Sequence, residues 1–157
     1  MRRWVTRVFE VLSGVVTAAV CLWPLSATAQ DGGFGQNKVQ YRDFDWNYLS
    51  TPHFDVYFYE GGNDLAVFAA AVLESAYVEV SAQLDHRLSK RVPAIIYQSH
   101  NEFQQTNVTG SLLEEGVGGF TESFKNRMVM PFTGSYEDFR HVLHHELTHA
   151  VTFDKLY

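Results

Sequence analysis

The chain has 157 residues, with 12 Lys and Arg against 18 Asp and Glu, for a formal net charge of −6. An acidic balance leaves no basic patch to neutralise phosphates, which argues against a nucleic-acid partner. A single cysteine excludes an internal disulfide framework, so stability must come from a packed core, for which 46 % hydrophobic residues and this length suffice in one domain.

Arg2, Arg3 and Arg7 precede an apolar run from about Val11 to Trp23, and Ala27-Thr28-Ala29 forms an A-x-A cleavage site. This order predicts a signal peptide over residues 1–29 and an exported mature chain beginning at Gln30. The run is short for a membrane span of about 20 residues, and Pro24 interrupts it, so no stable transmembrane anchor is expected after cleavage. Ala19-Val20 before Cys21 makes a poor lipobox, which wants a small residue just ahead of the cysteine. Cleavage leaves about 128 residues, a formal charge of about −8 and no cysteine.

Residues 30–52 open with the flexible Asp31-Gly32-Gly33-Phe34-Gly35 and turn aromatic-rich from Asn37 to Trp46. They are expected to lie extended along the domain, the aromatics packing on it or, alternatively, stacking on a ligand. His53-Phe54-Asp55-Val56-Tyr57-Phe58-Tyr59 alternates and is rich in β-formers, so it predicts a strand. Gly61-Gly62-Asn63-Asp64 ends it and caps a helix from about Leu65 to Leu88, whose Ala66, Ala69, Ala70, Leu73, Tyr77, Val80 and Leu84 share one face. Asp85-His86-Arg87 is its polar end, with His86 placed to meet the helix dipole.

Val92-Pro93-Ala94-Ile95-Ile96-Tyr97 reads as a buried strand. Ser99, with Glu102 three residues on, resembles a capping box opening a short helix from Phe103 to Asn107. Asn107-Val108-Thr109 is formally a glycosylation sequon. The glycine-rich passage from Glu114 to Glu122 leads into a strand. It is no phosphate loop, since no Gly-Lys-Ser/Thr follows and acidic residues flank it. Phe124-Lys125-Asn126 is the turn to a strand over Arg127–Phe132, and Pro131 places the end of that strand at a sheet edge or beyond the ladder. Ser135, with Asp138 three residues on, caps the last helix.

That helix carries His144-His145-Glu146-Leu147-Thr148-His149, an instance of H-E-x-x-H. Positions i and i+4 stack on one helix face, so the imidazoles of His145 and His149 can converge on one Zn²⁺ at roughly 2.0–2.1 Å. Glu146 then lies beside the metal without binding it, placed to take a proton from water activated by the zinc. Val142, Leu143, Leu147, Ala150 and Val151 give the helix an apolar face; a histidine-rich surface helix or a metal-buffering cluster through His141, His144, His145 and His149 are the alternatives. His141 and His149 are separated by a rise of about 12 Å, too far for a straight helix to bring both onto the ion held by His145. The metzincin extension of the motif is missing, because Thr152 and Lys155 stand where its glycine and third histidine belong. The third ligand must come from elsewhere, and since only eight residues follow His149 the chain is expected to be the N-terminal fragment of a longer protein.

The order strand, long helix, strand, short helix, hairpin, H-E-x-x-H helix resembles the N-terminal subdomain of thermolysin-like gluzincin metallopeptidases. More closely it is similar to the peptidase MA-like bacterial envelope proteins, some of which carry a Tol-type β-propeller downstream. Phe34 to Tyr41, His53-Phe54-Asp55-Val56-Tyr57, Gly118-Gly119-Phe120-Thr121-Glu122 and His144 to His149 carry the resemblance. It implies an α+β fold with a mixed sheet packed on helices, residues 53–157 being the first part of the domain. It implies Zn²⁺ as cofactor, His145 and His149 as ligands, Glu146 as general base, a third Glu ligand and an oxyanion-stabilising residue beyond Tyr157, and an edge strand (118–122 or 128–132) beside the cleft. The expected function is zinc-dependent peptide-bond hydrolysis by a secreted or periplasmic enzyme acting on a peptide or protein, the fragment alone binding zinc weakly and being nearly inactive. The alternative is a non-catalytic envelope scaffold that binds protein partners through a metallopeptidase-like domain, because fold alone does not prove activity. Glu146 between two histidines favours catalysis, since a structural zinc site needs no base there and is usually closed by four ligands, often Cys.

Overall fold

The computed structural model describes residues 41–106 and 116–157. The expected signal peptide (1–29), residues 30–40, the sequon and Glu114-Glu115 lie outside the described residues. Among those described, the elements are β1 (Asn47–Ser50), β2 (Phe54–Phe58), α1 (Asn63–Gln83), β3 (Val92–Tyr97), the one-turn α2 (His100–Phe103), β4 (Phe120–Glu122), β5 (Arg127–Pro131) and α3 (Tyr136–Leu156).

The strands form one mixed sheet in the order β1-β2-β3-β5-β4, parallel at its centre and antiparallel at both edges. Strand alternation decides what each face carries. Phe54 and Val56 in β2, Val92, Ala94 and Ile96 in β3, and Met128 and Met130 in β5 are in register and point to one side. There they meet the buried faces of α1 and α3 in a single core, giving an α+β arrangement with both long helices on one face. The spacing of Ala66, Ala69, Ala70, Leu73, Tyr77 and Val80 predicts that face of α1, and all are buried. By length and composition α1 is apolar enough to cross a membrane; half of that stretch is buried in this core, while Val67 and Val78 are exposed.

The opposite face holds a smaller cluster of Tyr59, Tyr97, Phe103 and Val129. Phe44 packs on Tyr59 at 4.5 Å and Trp46 on Tyr97 at 5.5 Å between ring centroids, so these two aromatics pack on the sheet, while Tyr41 is exposed. The Tyr59 hydroxyl accepts from the Gln98 amide at 2.6 Å and donates to the Glu102 carboxylate, which Arg42 also meets at 2.8 Å. Burial, and then the neighbouring Glu102, raise the Tyr59 pKa, so it stays a proton donor throughout the physiological range.

Several local expectations hold and several shift. Ser99 and Ser135 accept from the amides of Glu102 and Asp138, as their spacing predicts. The short helix sits at 100–103, ahead of the expected Phe103–Asn107. The segment expected to run simply extended to residue 52 contains the edge strand β1, in register Leu49↔Val56. The first helix stops at Gln83 and not Leu88, because Asp85 turns to positive φ (46°). Gly62 stands at its N-cap position with no side-chain cap.

His86 also joins the two long helices: its Nε2 lies 2.9 Å from Asp154 Oδ2, on the last turn of α3. The cation at the C-terminus of α1 is Lys155, whose Nζ donates to the Leu84 carbonyl at 2.7 Å. Strand β5 is internal to the sheet. The Phe132 amide donates to the Tyr97 carbonyl, so by alternation the Pro131 nitrogen faces the β4 side, where pairing has already ended at Phe120↔Val129.

Asp154 joins the ends of the two long helices. Burial alone would raise the pKa of its carboxyl, but the hydrogen bonds from His86 and from the amide and hydroxyl of Ser89 outweigh burial and lower it. A carboxyl whose folded pKa is depressed contributes stability above its unfolded pKa of about 3.9 and loses that contribution as pH falls through the folded value. Asp154→Asn is therefore expected to destabilise the protein by about 1–3 kcal/mol at pH 7. The difference from wild type should shrink below about pH 4. Urea unfolding of both proteins across that range measures it.

Candidate metal centre

Helix α3 begins at Ser135, whose hydroxyl takes the Asp138 amide at 3.2 Å, and Glu137 and Asp138 place negative charge in its first turn. Its buried residues are Phe139, Leu143, Glu146, Leu147, Ala150 and Val151, one stripe at helical spacing packed on the sheet and on α1. The stripe fixes the rotation of the helix. His145 and His149 fall on the exposed side, and Glu146 falls inside the buried stripe at 5 % exposure.

The two imidazoles meet. His145 Nε2 and His149 Nε2 are 3.1 Å apart, the rings nearly perpendicular with centroids 4.7 Å apart. His149 also stacks on Phe153, one turn further on, which braces its ring. Two nitrogens each about 2.05 Å from a tetrahedral ion stand about 3.3 Å apart. The observed separation is close to that, so the pair fits two ligand positions of a zinc ion. Without a cation the same distance requires one ring to donate its Nε2 proton to the other.

Among the described residues no three His, Cys, Asp or Glu side chains gather as a metal-binding group. His141 is exposed one turn before His145, and His144 is half-buried; neither joins the pair.

A buried carboxylate needs a hydrogen-bond partner. Glu146 has one in Thr121, whose Oγ1 lies 2.7 Å from Glu146 Oε2 and 3.1 Å from the Glu146 carbonyl oxygen. Sequence reasoning passed over Thr121. The signal that finds it is register: pairing Phe120↔Val129, Thr121↔Met128 and Glu122↔Arg127 turns only the central residue of β4 toward the helices. Of the two stretches expected to supply an edge strand, the first contains β4, which is an edge among the described residues, and the second lies in the internal strand β5.

The approach of β4 to α3 depends on small residues. A Cβ on Gly118 would stand 3.1 Å from Val142 Cγ2, and one on Gly119 would stand 2.9 Å from Met130 Cγ, 3.2 Å from the Val129 carbonyl oxygen and 3.2 Å from Val142 Cγ1. The glycines that precede β4 are there for close packing between strand and helix.

Compared with protein-family models, with characterised proteins and with solved structures, the chain matches none. Gly119→Ala is expected to cost about 1–3 kcal/mol of stability by forcing β4 away from α3 and β5. Its urea midpoint, measured beside that of the wild type, checks this.

Proposed function

We propose that the protein is an exported, zinc-dependent peptidase in which His145 and His149 hold the ion and Glu146 is the general base. The observation that carries this reading is the 3.1 Å approach of the two Nε2 atoms on the solvent side of α3, with a buried carboxylate between them in sequence. A histidine pair kept for surface packing has no use for a carboxylate in the adjoining apolar stripe, where it costs free energy unless paired. The antiparallel edge strand beside the H-E-x-x-H helix supports a thermolysin-like arrangement, and the leader pattern supports export.

Zinc, if held by His145 and His149, would supply a Lewis acid for the scissile carbonyl and would lower the pKa of water at the site. Glu146 accepts a proton from the attacking water as the new C–O bond forms. It then delivers that proton to the amine nitrogen as the C–N bond breaks, and so ends the cycle ionised as it began. A third protein ligand, a Glu by the gluzincin resemblance, completes the set. An extended peptide adds to the outer edge of β4 through main-chain hydrogen bonds, which fixes its direction across α3.

The test is zinc content and hydrolysis of a mixed peptide library by the full-length protein, as wild type, Glu146→Gln and His149→Ala. Glu146→Gln is expected to keep about one zinc per chain and to lose at least about 100-fold in hydrolysis. His149→Ala is expected to lose both zinc and hydrolysis. Zinc binding by a wild type that cleaves nothing would replace this reading with that of an envelope scaffold, and absence of zinc from the wild type would overturn the site itself.

A further inference from the structure

Strand β4 has three residues, and its neighbours in sequence turn away from the helices. Phe120 packs with the cluster on the far face of the sheet, and Glu122 pairs there with Arg127, whose Nε lies 2.8 Å from Glu122 Oε2. Thr121 alone of the three turns toward α3, and its hydroxyl spans the Glu146 carboxylate and the Glu146 carbonyl. A hydroxyl has one proton to give. The carboxylate oxygen is both the nearer acceptor and the charged one, so it takes the larger share. Glu146 Oε1 has no hydrogen-bond partner among the described residues. The residue as a whole keeps 5 % exposure.

We propose that Thr121 is a positioning residue for Glu146: its hydroxyl anchors Oε2 and leaves Oε1 as the oxygen that meets the reacting water. This rests on the peptidase reading of the site. A glutamate side chain has three torsions, and a base that must take a proton in one direction gains rate when those torsions are set before substrate arrives. The anchor is also well placed for substrate binding. Thr121 belongs to the strand whose outer edge a peptide would extend, so the main chain of the substrate and the carboxylate of the base would be referenced to the same residue.

A hydroxyl that merely stitches β4 to α3 predicts something different, and steady-state kinetics on the full-length zinc protein separates the two. Thr121→Val keeps the shape and removes the donor; kcat is expected to fall about 10- to 100-fold, with KM within about twofold of wild type and zinc content unchanged, while Tm falls by a few degrees because the buried Glu146 carboxylate loses its donor, the assay being run well below either Tm. Thr121→Ser restores the donor and is expected to recover most of kcat. Thr121→Ala repeats the loss without a branched side chain, should Val disturb the packing. In a Glu146→Gln background Thr121→Val is expected to have no further effect, since the group it positions has lost its function. Unchanged kcat in both Thr121→Val and Thr121→Ala, with Glu146→Gln inactive, overturns the positioning role and leaves the base standing. A loss of kcat that follows Tm and is not recovered by Ser assigns Thr121 to strand–helix stitching only. A fully active Glu146→Gln overturns the peptidase reading and this inference with it.

Discussion

The contact between the apolar stripe of α3 and the sheet orients everything at the candidate centre. Phe139, Leu143, Leu147, Ala150 and Val151 must all reach the core, and a helix has only one rotation that allows it. That rotation places His145 and His149 in solvent one turn apart and drives Glu146, between them in sequence, into the stripe. A carboxylate there demands a donor. Among the described residues Thr121 of β4 supplies it, and β4 comes close because Gly118 and Gly119 put no side chain between it and Val142. The glycines, the threonine and the histidine pair thus answer one packing requirement.

Much of the fold was legible because its elements obey one period at a time. The alternation in β2 and the 3.6-residue spacing in α1 each bury one face, and the serines at 99 and 135 stand at the right distance from the amides they cap. What was not legible depends on partners far away in the chain. Asn47-Tyr48-Leu49-Ser50 has one residue packed on the core and no pattern of its own; it is a strand because β2 offers it an edge. Leu84 and Leu88 continue the apolar spacing of α1 past its end, and only the backbone at Asp85 shows where the helix stops. His86 looks like a helix-end cation only, until Asp154, from the other long helix, is beside it.

The candidate site divides in the same way. The i, i+4 geometry of His145 and His149 is a property of one helix, so five residues of sequence suffice to expect their convergence. Thr121 is invisible at that level. In Phe120-Thr121-Glu122 one apolar, one small polar and one charged side chain give no alternation that selects a face, and only the hairpin register selects the threonine for the helix side. The order of the strands was equally hidden, since both stretches proposed as the edge are short β-prone runs and the sheet admits only one of them there.

Every group named at the centre lies between Gly118 and Phe153, in a hairpin followed directly by its helix. The sheet they rest on is made differently: β2, β3 and β5 are parallel neighbours, and parallel pairing joins residues separated by long crossovers. Contacts of low sequence separation close with little loss of chain entropy, and those of high separation close with more. The local geometry of the centre is therefore encoded in a segment of low contact order, and the high-contact-order half of the chain supplies its foundation. Substitutions before Tyr97 should act chiefly on how firmly that foundation holds, whereas substitutions at Thr121 and on the outward face of α3 can reshape the centre while the buried residues of β5 and α3 keep the foundation intact.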